Sequence, residues 1–323
     1  MRKFVMAVLV LLIPASAFAE EKFIRTFKNT AGDTAALETA TVRYEKTINN
    51  YPVIVDVHGA VHLADKAYYI RKNIEFESYD TVLYELVADE TGQRPNKNGQ
   101  DMYAMFSNFI ELESQLGVID YQAKNFVHAD LTKKELTKKM RANGDDMTTL
   151  FLEFLLNAIR QQNKTAFALE DAVSEGRITV EQSRKRSQPQ INLMQLLIDP
   201  NRAVKIKRMM ADAMAETDVA ASFGPVIGGY LIAERNKKCI AALEIEFEVL
   251  RAHPRYINGL GFPGPKFAIF YGAAHMPDLE KRILALGFKR TKIKWTQAWD
   301  LFYEDADYKD PLLELLRQLQ KLE

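Results

Sequence analysis

Hydrophobic positions near the start of the chain follow a period of two, then a continuous run, then a helical period. Residues 40–48 (ATVRYEKTI) alternate as a strand with one buried face, and Asn49-Asn50 supplies a turn. Tyr51-Pro52-Val53-Ile54-Val55-Asp56-Val57 reads as a buried strand pairing with it in a hairpin. The chain then turns at His58-Gly59 and enters a helix expected over residues 63–75. A second apolar strand is expected over residues 81–87 (TVLYELV). Strand, helix and strand in that order predict a parallel α/β unit.

Residues 89–100 (DETGQRPNKNGQ) read as loop. Beyond them the pattern is mainly helical, with one short strand at residues 125–128 (NFVH). Helices are expected at 148–161, at 189–197 and along 202–251, with a break at Phe223-Gly224-Pro225. The basic clusters Lys133-Lys134, Lys138-Lys139 and Arg184-Lys185-Arg186 are mixed with acids and read as solvated helix faces. The C-terminal part returns to α/β. Residues 266–271 form a buried strand, 277–286 a helix closed by Gly287, 292–295 a strand, and a last helix starts at Pro311. Neither end has enough strands for its own sheet. The expected fold class is therefore α/β, with one mixed central sheet shared by both ends and a helical insertion at about residues 101–251. Residues 20–323 are expected to form a single composite domain.

Composition narrows this picture. The 323 residues carry 43 Lys+Arg against 43 Asp+Glu, with 47% hydrophobic residues, as in ordinary folded proteins. That excludes a disordered chain, and the balanced charge creates no field favouring nucleic acid. Arg2 and Lys3 precede an apolar run from Phe4 to Ile13, then Pro14 and the small-residue stretch Ala15–Ala19. This is the layout of a secretory signal peptide over residues 1–19, with Ala17-x-Ala19 as the cleavage site. The run is too short for a membrane span, which needs about 20 apolar residues. The expectation is a soluble exported protein, most simply in a bacterial periplasm. Its single cysteine, Cys239, lies in an apolar helical run and reads as buried packing.

Five histidines give a short list of candidates for metal or acid–base chemistry. Two occupy matching contexts: residues 53–62 (VIVDVHGAVH) and residues 267–275 (FAIFYGAAH) each read as a strand, a G-x-x-H turn and the start of a helix. If both strands are parallel in one sheet, His62 and His275 emerge at its carboxyl edge, where open α/β sheets place ligands. The alternative is that both cap helices or pack in the core. Glu85 interrupts an apolar strand, and a buried carboxylate needs a partner or a metal to offset desolvation. An edge-strand glutamate facing water is the competing reading. Two histidines and a carboxylate suit a divalent transition metal with open coordination positions.

His58 lies two residues after Asp56, so the pair shares a strand face and either orients metal ligands or has a structural role. His128 and Asp130 form a similar pair, while His253 before Pro254 reads as a bystander. Residues 259–264 (GLGFPG) match G-x-G-x-x-G in letters, but they precede a strand and include Pro263, so they carry no nucleotide claim.

The combination of Gly59 and His62, Glu85, and Gly272 and His275 resembles the TraB/GumN (TraB/PrgY) family and its metalloprotease relatives, the Tiki proteins. Their shared marks are two distant G-x-x-H motifs and a glutamate on the strand after the first. Residues 126–130 (FVHAD) resemble the family's aspartate-containing strand end, and residues 233–236 (AERN) its helical E-R-N segment. The first turn departs from the family's common Gly-Thr-x-His, and Met276-Pro277-Asp278 replaces a Leu-Pro-Gly-like opening. The resemblance implies a metal-dependent hydrolase, a peptidase of Tiki type acting on a peptide or protein. His62 and His275 would hold manganese, cobalt or zinc, with Glu85 as third ligand or general base. Arg235 in the long helix reads either as a clamp for a substrate carboxylate or an oxyanion, or as a salt-bridge partner of Glu234-type neighbours or of the sheet edge. The competing reading is a non-catalytic periplasmic binding protein for peptide, or for haem or iron, with Tyr68, Tyr69 or Tyr271 serving the iron.

Overall fold

In the computed structural model, residues 22–48, 51–87, 111–142, 172–177, 179–182, 202–216, 232–251 and 264–302 are described. The expected signal peptide, the Asn49-Asn50 turn and the 89–100 loop lie outside the described residues. So do the helices at 148–161, 189–197 and from Pro311, the break at 223–225, the Arg184 cluster, His253 and residues 259–263.

The N-terminal alternating segment belongs to a longer strand than its pattern predicts. β1 (Ile24–Lys28) pairs antiparallel with the first part of β2 (Thr34–Ile48), and β3 (Tyr51–Ala60) pairs with the rest, ending at Ile48↔Tyr51. Thr34–Leu37 is buried at every position, so it lacks the alternation that marks a half-buried strand. β4 (Leu63–Ala64) follows β3, then α1 (Lys66–Phe76) and β5 (Thr81–Tyr84). β6 (Glu113–Ser114) pairs with β4 and leads into α2 (Gln115–Val118) and β7 (Phe126–His128). Two expectations are corrected here. The first helix starts at residue 66 because Leu63 and Ala64 pair with β6, and the strand expected to reach Val87 ends its ladder at Tyr84.

The remaining described elements are α3 (Lys133–Ala142), α4 (Arg202–Glu216), α5 (Arg235–Arg251), β8 (Lys266–Gly272), a 3-10 turn (Ala273–His275), α6 (Met276–Ala285) and β9 (Lys289–Asp300). β8 inserts between β3 and β5, so both ends of the chain share one mixed sheet, as expected. β3, β8, β5 and β7 are parallel, while β1, β3 and β9 pair antiparallel with β2.

Strand alternation divides the interior. Val53, Val55 and Val57 of β3 and Phe267, Ile269 and Tyr271 of β8 pack with Cys239 and Leu243 of α5 and with Leu279 and Ile283 of α6. The opposite positions, including Ala268, Phe270, Val82 and Tyr84, pack with Tyr68, Tyr69 and Phe76 of α1. Cys239 is fully buried, and desolvation pushes its thiol far above the usual range. Among the described residues, no helix is long and apolar enough to cross a membrane.

Candidate active site

The four parallel strands bring their carboxyl ends to one edge, and Glu85, Asp130, His275 and the first turn of α5 meet there. The two G-x-x-H motifs reach it differently. In the sheet, Ala60 faces Gly272 and Gly59 faces Tyr271, so the motif glycines are one residue out of register. Gly59 lies inside β3, where a Cβ would overlap the Met276 sulfur. Gly272 ends β8, and a Cβ there would press to 3.3 Å from Glu85 Oε2.

The expectation that each histidine enters a helix therefore holds for one of them. His275 ends the 3-10 turn, leads directly into α6 and is buried. His62 precedes the short β4 instead. Its side chain is exposed, and its carbonyl accepts from the Gln115 amide at 2.9 Å.

Glu85 is 9% exposed and densely bonded. Oε2 accepts from the Gly272 amide at 2.5 Å, and Oε1 accepts from Arg235 Nη2 at 2.6 Å. Arg235 also donates to Asp130 through Nε at 2.9 Å and Nη2 at 2.6 Å, and Asp130 is almost completely buried. Burial alone would raise the Glu85 carboxyl, but His275, Arg235 and His62 outweigh it, holding the group well below the usual carboxylate range. Arg235 is thus a positioning residue that joins two buried carboxylates.

His275 is oriented by Asn236, which is fully buried. Asn236 Nδ2 donates to the His275 carbonyl at 3.1 Å and to Asp278 Oδ2 at 2.8 Å. Its Oδ1 must then be the acceptor for His275 Nδ1, 2.7 Å away, which assigns the ring proton to Nδ1. Nε2 is left facing Glu85 Oε1 at 3.5 Å.

A cleft of about 210 Å³ opens beside this pair. It is lined by His62, Glu85, Arg235 and Leu86 from the sheet edge and α5, and by Ser114 and Gln115 from the β6–α2 segment. Gln115 is buried and its Oε1 has no hydrogen-bond partner among the described residues. Three metal-ligating side chains do not converge into a ready cage among the described residues. Glu85 lines the cleft together with His62, and its Oε1 lies 3.5 Å from Nε2 of the buried His275.

The other candidates lie elsewhere. Asp56 and His58 sit on the α1 side of the sheet, bonded to Arg43, Tyr79, Thr41 and Lys72. His128 Nε2 bonds the Leu86 carbonyl at 2.7 Å, leaving Asp130 as the member of that pair that joins Arg235. Tyr68 and Tyr69 donate to the carbonyls of Gly59 and Val61, and Tyr271 to that of Ala129. All three hydroxyls are buried in structural bonds, which removes the tyrosines suggested for iron. Asn236 and Gln115 were not singled out as site residues by the sequence. Asn236 adjoins Arg235 in the AERN segment, whereas Gln115 carries no local signal.

No family model matches the chain, and neither does any curated protein or solved structure. The likeness to the TraB/GumN family rests on the short motifs at residues 59–62, 85, 126–130, 233–236 and 272–275.

Proposed function

We propose that the chain is a metal-dependent hydrolase of peptide or related amide bonds, with Glu85 and His275 as preset metal ligands and His62 completing the site. One observation carries this reading. Asn236 places a proton on His275 Nδ1 and so turns Nε2 toward the Glu85 carboxylate at 3.5 Å, where a proton or a metal ion can bridge the two. Two electron-pair donors at that distance require a positive charge on or between them. Two ligands each about 2 Å from a tetrahedral ion lie roughly 3.3 Å apart, so the spacing fits a shared metal. Imidazole with carboxylate suits zinc, cobalt or manganese.

A bound divalent ion would polarise a scissile carbonyl and lower the pKa of bound water to about 7. The chain's own residues prepare that chemistry. Arg235 and the Gly272 amide hold Glu85 ionised and fixed in direction. Asn236 fixes the tautomer and ring plane of His275, the usual service of a hydrogen-bonded neighbour to a metal ligand.

The test uses protein lacking residues 1–19, loaded with Zn²⁺ or Co²⁺ and freed of excess metal. Elemental analysis should find metal in the native sequence and a loss in His62→Ala/His275→Ala. Cobalt absorption should report nitrogen and oxygen ligands that disappear in the same variant. Turnover of a fluorogenic peptide pool should vanish in Glu85→Gln while circular dichroism is unchanged. Equal metal content in both proteins would overturn the site.

A further inference from the structure

A second cavity, of about 200 Å³, lies under the C-terminal end of α1 on the α1 side of the sheet. Strand register builds it. Asp56 of β3, Arg43 of β2 and Lys292 of β9 form one cross-strand row, and His58, Thr41 and Lys294 form the next. Alternation points these rows to the same face, where Glu75, Ser78 and Tyr79 close the cavity and Lys266 of β8 reaches in.

Four cationic side chains line this cavity against two carboxylates. Both carboxylates are already engaged. Asp56 accepts two bonds from Arg43, each 2.8 Å, and one from Tyr79 at 2.7 Å. Glu75 is paired with Lys294 and with the buried Lys72, whose ammonium also reaches Thr41 and His58. His58 is completely buried, and desolvation with the nearby Lys72 charge keeps it neutral. Two cations make no close ion pair among the described residues, although Asp56, Glu75 and Asp80 lie near enough to act on Lys266. Among the described residues, Lys266 Nζ donates to the Ser78 hydroxyl at 3.0 Å and lies 4.1 Å from the Tyr79 ring centre. Lys292 has no side-chain partner among the described residues.

We infer that this cavity is an anion-binding site for a tetrahedral oxyanion, inorganic phosphate or the phosphate group of a monoester, held by Lys292, Lys266 and the outer edge of Arg43. Asp56 and Glu75 are bonded to other partners, so the ammonium groups of Lys266 and Lys292 can supply charge-assisted donors to a multiply charged oxyanion. Lysines on β9 also discourage pairing with another sheet. That role alone predicts no phosphate binding. The site stands apart from the metal cleft and does not depend on the hydrolase reading.

The experiment is calorimetric titration of the full chain with inorganic phosphate, in low-chloride buffer after metal removal by chelating resin so that metal-bound phosphate does not contribute. Glycerol phosphate in a parallel titration distinguishes free phosphate from a monoester. Saturable binding is expected, about tenfold weaker in Lys292→Gln and in Lys266→Gln. Lys292 is exposed, so its variant should melt as the native protein does. Lack of saturable binding at about 1 mM of either ligand, or affinity unchanged from the native protein in both variants, would overturn the assignment.

Discussion

Replacing Arg235 by methionine tests whether the carboxylates at the sheet edge depend on one buried guanidinium. Methionine keeps much of the apolar stem and removes three hydrogen bonds, two to Asp130 and one to Glu85. Glu85 would retain the Gly272 amide, and Asp130 the Leu131 amide at 2.7 Å. Two buried anions would then lack a fixed cation other than whatever charge His275 carries. Breaking a buried ion pair from one side costs about 3–5 kcal/mol. At roughly 2–4 °C per kcal/mol for a domain of this order of size, the melting temperature should fall by about 6–20 °C. Acid supplies the internal control. Glu85 has a depressed folded-state pKa, so its stabilising contribution is full above the unfolded value near 4.5 and is lost as pH falls through the folded value. Without Arg235 its pKa rises, and protonation relieves the variant sooner. Urea unfolding of metal-free protein at neutral pH and at about pH 4 measures both effects. The stability gap should be largest at neutral pH and shrink on acidification. A loss under about 1 kcal/mol, or a gap that does not narrow in acid, would refute the paired-carboxylate account.

Asn236→Leu should free the His275 ring and lower zinc affinity by about 10–100-fold, measured by chelator competition, whereas unchanged affinity would show that the tautomer does not matter. Gly59→Ala should destabilise by about 1–3 kcal/mol through overlap with Met276, and a Met276→Ala double mutant should lose less than the two single losses added, as read by denaturant midpoints; full additivity would rule out the contact. Asp65 accepts from the Asp300 amide, yet desolvation raises its pKa to about 6. Its stabilising effect is therefore greatest below pH 4 and lost as pH rises through 6; Asp65→Asn should remove up to about 3 kcal/mol of that decline, and an unchanged stability–pH curve would exclude it.

Much of the fold was legible because strand periodicity and the strand–helix–strand order are local signals. The shared sheet followed from a shortage of strands at each end, and insertion of β8 between β3 and β5 supplies the physical solution. Glu85 and His275 were also legible: an ionisable residue in an apolar strand and a histidine after a strand-ending glycine. What the residues could not give was set by distant parts of the chain. The pattern shows Arg235 and Asn236 side by side but not that one holds Glu85 and the other His275. Asp56 and His58 were correctly placed on one strand face, yet the partners that face meets are Lys72 and Tyr79 of the α1 region.

The paired G-x-x-H motifs show why similar letters need not give similar structure. Side chains alternate across a strand, so two glycines one residue out of register project toward opposite faces. The space above Gly59 is filled by Met276, which locks β3 against α6, and the space above Gly272 is kept for Glu85. Beyond the glycines the same three-residue step ends in different places, since β4 intercepts the chain after His62 and a helix receives it after His275. One histidine is thereby buried and oriented by Asn236, and the other stays exposed on the cleft. On the proposed metal reading, Glu85 and the buried His275 would fix where an ion sits, and the exposed His62 would complete its coordination. Substituting His275 should therefore abolish metal capture, whereas substituting His62 should chiefly speed metal release, a difference that stopped-flow chelation can resolve. Equal dissociation rates for the native protein and His62→Ala would contradict that division of roles.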